Sequence, residues 1–117
     1  MSSNRQKGWE GERIARDYLE GQGFEFLTAN YYTRWGEIDL VMRHDEFLVF
    51  VEVKSYQTSF MDARYVINKR KKRNLFRSGE WYRVTHDYDG AYRFDLCVLD
   101  GEKVVDYIVA MDVLNAR

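Results

Sequence analysis

The longest uninterrupted apolar stretch of the sequence is only five residues long, and a charged residue follows it directly. Residues 47–51 read FLVFV, and Glu52, Val53 and Lys54 follow. A strand with apolar side chains on both faces needs a packed layer on each side of its sheet. We therefore predict that residues 47–54 form the central strand of a covered sheet. The apolar stretch is also far too short for a transmembrane helix, which needs about 20 apolar residues.

Helical and strand patterns alternate around this strand. The three- and four-residue spacing of Ile14, Ala15, Tyr18 and Leu19 predicts a first helix. The full set of predicted elements is a helix over 8–20, strands over 24–28, 37–43 and 47–54, a helix over 69–83 that begins after the N-cap Asn68, and strands over 92–99 and 103–110. Residues 30–36 are predicted to be a polar, aromatic turn region, and residues 55–67 fit no single element. This order predicts an α/β or α+β fold, and 117 residues fit a single domain over 1–117.

Composition excludes several classes of protein. A chain that is 45% hydrophobic and 32% charged is neither disordered nor a membrane protein. The single cysteine, Cys97, excludes an internal disulfide framework and a cysteine-rich zinc site. The first seven residues lack the apolar core of a secretory signal. We therefore expect a cytoplasmic protein with no membrane partner.

The hairpin of residues 37–54 concentrates the groups that suggest chemistry. Strand alternation places Glu37, Asp39 and Val41 on one face and puts Glu52 on the same face as Lys54. If the turn is centred on residues 45 and 46, Asp39 lies opposite Glu52, whereas a register slip of one residue would separate them. Two such carboxylates repel each other unless a hard cation such as Mg²⁺ lies between them. A neighbouring lysine can orient or help deprotonate a water, or stabilise charge on phosphate oxygens.

Each of these features also has a purely structural interpretation. A Glu-x-Lys sequence at the end of a strand occurs by chance, and an Asp opposite a Glu can lie at a solvated edge. Glu12 shares a helical face with Ala15 and Leu19, so it can reach over the strands and join Asp39 and Glu52. Alternatively, the dipole of the first helix stabilises Glu12 near its N-terminus. An ionised group after a doubly buried strand is costly unless it is paired or metal-bound, which favours the catalytic interpretation.

Charge is strongly segregated along the chain. Residues 64–77 contain seven basic residues and no acidic one, so this stretch carries +7 and the rest of the chain −8. Its core is Lys69-Arg70-Lys71-Lys72-Arg73. The stretch is either a solvated helix face or a surface that contacts the phosphates of a nucleic acid. Tyr31, Tyr32 and Trp35 likewise either cover one edge of the core or stack on unpaired bases.

Two motifs in this hairpin carry a resemblance to a known family. The stretch GEIDLV at 36–41 and the stretch FVEVK at 50–54 closely resemble the YraN-type family of small bacterial proteins, catalogued as uncharacterised. That family is similar to the PD-(D/E)XK superfamily, which includes restriction endonucleases and archaeal Holliday-junction resolvases. The likeness covers most of the chain, from residue 8 to residue 95. It implies a restriction-endonuclease-like α/β fold, with a mixed central sheet flanked by helices, and Mg²⁺ or Mn²⁺ as cofactor.

The resemblance also assigns roles to individual residues. Asp39 matches the superfamily's Asp, and Glu52 and Lys54 match its (D/E)XK element, which implies that these three are catalytic. The implied metal ligands are Asp39, Glu52, the carbonyl of Val53, and Glu12, which matches an acidic residue that some members carry on the first helix. Ile38 stands where the superfamily's name has a proline.

A lysine of the second helix completes this set. Lys71 fits the family's spacing best, and Lys69 and Lys72 are alternatives; we predict nucleic-acid contacts by these three and by Arg73. The predicted function is a metal-dependent endonuclease acting on DNA, including branched or structured DNA. A homodimer is compatible with cutting both strands of a duplex. The alternatives are a non-cutting nucleic-acid-binding module on the same fold and an assembly protein whose basic helix meets an acidic partner.

Overall fold

The computed structural model describes residues 4–55 and 67–114 of the chain. The elements are α1 (Asn4–Gly21), β1 (Glu25–Thr33), β2 (Gly36–His44), β3 (Phe47–Ser55), α2 (Lys69–Thr85), β4 (Tyr92–Asp100) and β5 (Lys103–Ile108). The predicted order of one helix, three strands, one helix and two strands is confirmed. Neither of the two described helices is long and apolar enough to cross a membrane.

The five described strands form one mixed sheet in the order β1-β2-β3-β4-β5, so β3 is central as predicted. β1, β2 and β3 pair antiparallel, β3 and β4 pair parallel, and β4 and β5 pair antiparallel. The connection between the parallel strands contains α2, which is the usual arrangement for a parallel pair. This mixed α/β architecture confirms the predicted fold class and is compatible with a restriction-endonuclease-like fold.

One helix covers each face of the sheet. On one face, Ala15 and Leu19 of α1 pack against apolar side chains of β2, β3 and β4, including Val49 and Val51. On the other face, Leu75 and Tyr82 of α2 pack against a second cluster that includes Phe50. The two clusters together bury both faces of β3, which explains its uninterrupted apolar stretch.

Two residues of α2 fix its position against the sheet. The Asn68 side chain accepts a hydrogen bond from the Lys71 backbone N–H at 2.8 Å, which confirms the predicted N-cap. Gly79 faces the sheet, and a Cβ at this position would lie 2.6 Å from the Phe94 ring. The absence of a side chain at Gly79 therefore allows α2 to approach the sheet closely.

The predicted turn region over residues 30–36 is wrong. β1 continues to Thr33, and only residues 34 and 35 lie between it and β2. β1 is an edge strand whose side chains are half-buried rather than alternately buried and exposed, so its polar and aromatic residues gave no period of two. The last strand ends at Ile108 rather than at residue 110, and Ala110 has a positive φ of 57°. Arg64 and most of the stretch over 55–67 lie outside the described residues.

Candidate active site

The hairpin of β2 and β3 adopts the predicted register. The ladder runs from the pair His44 and Phe47 to the pair Leu40 and Val51, so Asp39 and Glu52 are the next residues of the two strands. Beyond the pair Leu40 and Val51, a side chain replaces the backbone as hydrogen-bond acceptor. Asp39 Oδ2 accepts a hydrogen bond from the Val53 backbone N–H at 2.8 Å. The Asp39 carboxylate is therefore fixed between the two strands, just beyond the last backbone pair of their ladder.

The side-chain alternation of β2 breaks at Asp39. Ile38 packs in the cluster on the α2 face, whereas Leu40, two residues later, packs in the cluster on the α1 face. Opposite the break, Asn30 of β1 has a left-handed backbone with φ of 53°, a conformation that asparagine tolerates better than most residues. The expectation that Glu37, Asp39 and Val41 share one face is therefore wrong, since Val41 packs on the α2 face.

This break brings carboxylates from both faces of the sheet to Asp39. Glu12 of α1, Glu37 and Asp39 each have one carboxylate oxygen within 4.8 Å of the other two. Glu52, from the α2 side of β3, is within hydrogen-bonding reach of Asp39. Asp39 is thus the centre of a four-carboxylate cluster. Glu12 reaches over the strands to join it, which was one of the two interpretations of its helical face.

Burial and mutual repulsion raise the pKa of three of these carboxyls. Burial, followed by the charges of Asp39 and Glu37, raises the pKa of Glu12 to about 8. Burial, followed by the contact with Asp39, raises the pKa of Glu52 to about 9. The pKa of Glu37 is raised by burial and then by Asp39. The cluster therefore strongly favours the binding of positive charge.

Two carboxylate oxygens of the cluster accept no hydrogen bond from any described residue. Glu12 Oε1 and Glu52 Oε2 are fully buried, and the one other such side-chain atom in the described ranges is Arg83 Nε, at a distance from the cluster in sequence. Lys71 Nζ lies 3.4 Å from Glu52 Oε2 and forms an ion pair with it. Buried carboxylate oxygens around a third carboxylate are a donor set that Mg²⁺ or Mn²⁺ accepts.

The predicted lysines occupy different places in this site. Alternation puts Lys54 on the same side of β3 as Glu52, half-buried and one residue before the strand ends. Within residues 4–55 and 67–114, its amino group makes no hydrogen bond or ion pair. Lys71 reaches Glu52 from the first turn of α2. Lys69 and Arg73 are exposed on that helix and Lys72 is half-buried.

Three residues near the cluster were missing from the sequence-based set. Glu37 belongs to the cluster itself, and its place two residues before Asp39 was a signal for it. Asn30 is within hydrogen-bonding reach of Glu12, and Tyr32 is within reach of Glu37. The sequence placed both in a turn, so their pairing across β1 and β2 was not predictable from it.

Comparison with known proteins identifies the family. The family model described as "Uncharacterised protein family UPF0102" matches residues 11–99. A UPF0102 protein of Halorhodospira halophila is 41% identical over 86% of this chain and 82% of its own length. A UPF0102 protein of Shewanella denitrificans is 38% identical over 83% of this chain and 91% of its own. The chain therefore belongs to the bacterial UPF0102 family, the YraN-type family whose motifs its hairpin carries.

Proposed function

We propose that this protein is a metal-dependent nuclease that hydrolyses phosphodiester bonds in DNA. The observation that carries the proposal is the pair of buried oxygens Glu12 Oε1 and Glu52 Oε2, on either side of Asp39, which accept no hydrogen bond from the described part of the chain. Glu52 Oε2 has an ion-pair partner in Lys71. Buried ionisable groups are costly to a fold unless they are paired or bind a metal ion. A cluster that raises its own carboxyl pKa values costs stability, which favours a functional origin.

Asp39, Glu52 and Glu12 would hold Mg²⁺ or Mn²⁺, and the Val53 carbonyl would add a ligand. The bound cation would neutralise the carboxylates and stabilise charge on the phosphate in the transition state. Asp39 is kept in position for this role by its hydrogen bond from the Val53 N–H. Glu37 supplies further negative charge at the same place, although its half-buried side chain keeps access to solvent.

Lys54 and Lys71 supply the positive charges. Lys54, whose amino group makes no hydrogen bond or ion pair within the described ranges, orients the attacking water or stabilises the charged phosphate oxygens. Lys71 neutralises Glu52 until a phosphate replaces that carboxylate as its partner. In the hydrolysis, the water oxygen forms a bond to phosphorus as the bond from phosphorus to the leaving sugar oxygen breaks.

The N-terminal half of α2 is the proposed phosphate-binding surface. Lys69, Lys72 and Arg73 lie in its first two turns, where the helix dipole adds to their positive charge. Contacts of this kind bind nucleic acid without reading its sequence. Because bacterial chromosomal DNA lies in the cytoplasm, this function also predicts a cytoplasmic location, and cutting both strands of a duplex predicts a homodimer.

A non-cutting nucleic-acid-binding module is the second candidate. The observation that favours it is the position of Lys54, whose amino group pairs with no carboxylate of the cluster within residues 4–55 and 67–114. The basic surface of α2 is sufficient for binding without chemistry. A binding module, however, has no need of a buried cluster of carboxylates, so we favour the enzyme.

Two substitutions separate the candidates. Asp39→Asn keeps the shape and removes the charge, so it should abolish cleavage and weaken Mg²⁺ binding measured by calorimetry. Lys54→Ala should abolish cleavage and leave metal binding largely unchanged. Asp45→Asn is the matched control, because Asp45 is an exposed turn residue with a φ of 54° that asparagine accepts.

The assay uses duplex, single-stranded, flap and four-way-junction DNA with Mg²⁺ or Mn²⁺. The nuclease proposal predicts cleavage of at least one substrate by the wild type and by Asp45→Asn. Wild-type protein that binds metal and DNA but cuts no substrate would favour the binding module. Cleavage that persists in both Asp39→Asn and Lys54→Ala would contradict the proposed site.

A further inference from the structure

Two tryptophans meet on the surface beside the cluster. Trp35, in the turn between β1 and β2, and Trp81 of α2 have ring centroids 6.2 Å apart and ring planes inclined at 64°. Trp81 is 47% exposed, and Tyr32 at the end of β1 is 63% exposed. We call Trp35 and Trp81 the tryptophan pair. Large aromatic rings left this open to water indicate an interaction surface.

A partly buried hydrogen bond holds the tryptophan pair in place. Thr33 Oγ1 and Ser78 Oγ lie 2.7 Å apart, and Ser78 is only 1% exposed. The same Thr33 hydroxyl donates to the Gly36 carbonyl at 2.9 Å and accepts from the Trp35 N–H at 3.1 Å. The turn that carries Trp35 is thus fixed to the helix that carries Trp81, and a rigid surface loses little entropy on binding.

Positive charge surrounds the tryptophan pair. The Arg34 guanidinium lies 5.3 Å from the centre of the Trp35 ring. Between residues 67 and 79 there are six basic residues and no acidic one. Helical spacing places Arg70 and Arg77 on the side of α2 that carries Trp81. This surface is therefore complementary to an anion with flat rings, and a nucleic-acid strand is such an anion.

The rings of that occupant must be free on at least one face. In a double helix each base is already stacked between its neighbours, so exposed tryptophans gain contacts chiefly from unpaired bases. The pair also lies near the candidate active site. Tyr32 is within hydrogen-bonding reach of Glu37, and Trp35 precedes Asp39 by four residues, about 13 Å along a strand. That distance spans only a few nucleotides.

We propose that the tryptophan pair stacks the unpaired bases of single-stranded DNA whose backbone continues toward the carboxylate cluster. This inference rests on the proposed function for its substrate class, and it makes that function selective for DNA with a single-stranded stretch. The stacking itself needs neither metal nor cleavage, so it can be tested separately.

The experiment measures binding in EDTA, where no cleavage occurs. A fluorescein-labelled oligothymidylate of about ten nucleotides and a labelled duplex are titrated with protein, and anisotropy reports the affinity. The variants are Trp81→Ala, Trp81→Phe and Trp35→Phe, and circular dichroism checks that each is folded. Val84→Ala is the matched control, because Val84 is an apolar residue of the same helix that is 74% exposed.

Loss of one stacking ring should weaken binding of the oligothymidylate by about 5- to 100-fold. Binding of the duplex should change less than about twofold, and the salt dependence should stay unchanged because no phosphate contact is lost. Trp81→Phe keeps an aromatic face and should retain most of the affinity. Intrinsic tryptophan fluorescence should be quenched by the oligothymidylate in the wild type and less in Trp81→Phe.

Three outcomes would overturn the inference. The first is an unchanged affinity of Trp81→Ala for the oligothymidylate. The second is a loss of affinity in Trp81→Ala that is equal for the duplex and the single strand. The third is a loss of oligothymidylate affinity in Val84→Ala equal to that in Trp81→Ala. If Trp81→Ala does not fold, Trp35→Phe and Trp81→Phe with the quenching measurement decide the question. Stacking without any metal-dependent cleavage would refute the nuclease activity and leave this inference standing. Cleavage without stacking would refute this inference and leave the nuclease activity standing.

Discussion

The Asp39 carboxylate interacts with groups that come from both faces of the sheet. Its carboxylate accepts the Val53 N–H in the plane of the strands, while Glu12 approaches from the α1 side and Glu52 from the α2 side. The break in β2 opposite Asn30 makes this position available. At the residue scale, the site therefore depends on a local irregularity that places repelling charges together.

Replacing Glu52 by a residue that does not titrate should stabilise the metal-free protein. In the unfolded chain Glu52 loses its proton near pH 4.5, whereas in the folded protein the proton is held up to about pH 9. The folded state thus binds more protons between these values, and its stability falls as the pH rises through this window. Glu52→Gln removes this penalty. We expect about 1–3 kcal/mol of extra stability at pH 7, measured by urea unfolding in EDTA.

The difference in stability between wild type and Glu52→Gln should shrink as the pH falls below 4.5, because Glu52 is then protonated in the unfolded chain as well as in the folded protein. Glu46→Gln is the control, because it is the same substitution at a residue that is exposed in the turn between β2 and β3. A destabilised Glu52→Gln at pH 7 would mean that the ion pair with Lys71 outweighs the cost of burying the charge.

The elements of this fold differ in how clearly the sequence predicts them. The apolar stretch of β3, the amphipathic stripe of α1 and the Asn68 cap of α2 follow from patterns within a few residues, and all three were predicted. The length of β1 was not, because an edge strand with half-buried side chains lacks a two-residue period. The Asp39 register was predictable from a short turn, whereas the meeting of carboxylates from both faces of the sheet depended on a break in β2 that no local pattern indicates.

At the scale of elements, the closeness of α2 to the sheet can be tested through Gly79. A Cβ there would meet the Phe94 ring at 2.6 Å and the Phe50 ring at 3.1 Å, so Gly79→Ala must displace the helix or both rings. We expect a loss of about 1–3 kcal/mol in the free energy of unfolding, measured with denaturant.

Gly21→Ala is the matched control for this prediction. Gly21 ends α1, and nothing lies within 4 Å of a Cβ built there. The free energy of unfolding should change little, or increase because alanine restricts the unfolded chain. A neutral Gly79→Ala would show that α2 has room to move away from the sheet without cost.

The basic half of α2 can be tested by neutralising Lys71 and Lys72 together. Affinity for DNA should fall about equally for all sequences, and the slope of log affinity against log salt should flatten by up to about 2. The control is Arg43→Ala with Lys103→Ala, which removes two exposed positive charges elsewhere on the sheet. If both double variants lose the same affinity, binding follows overall charge and the helix has no special role.

At the scale of the whole molecule, α1 and the β2–β3 hairpin contribute the carboxylates, so a bound cation links a helix on one face to strands of the central sheet. Ligands that bind only the folded state stabilise it in proportion to the logarithm of their concentration. Mg²⁺ or Mn²⁺ at about 100-fold above its dissociation constant should add about 2.7 kcal/mol. For a chain of 117 residues this corresponds to a rise of roughly 10 °C in the thermal midpoint, measured by scanning calorimetry.

The same measurement distinguishes a specific site from general screening of charge. Asp39→Asn should lose most of the metal-dependent rise, because the central carboxylate no longer attracts the cation, and Asp45→Asn should keep it. An equal concentration of choline chloride should have little effect on the wild type, since a bulky monovalent cation cannot replace Mg²⁺ among buried oxygens. A rise of the same size in Asp39→Asn would mean that the cation binds elsewhere, and the four carboxylates would then be a structural cluster that the fold tolerates rather than a metal centre that it supports.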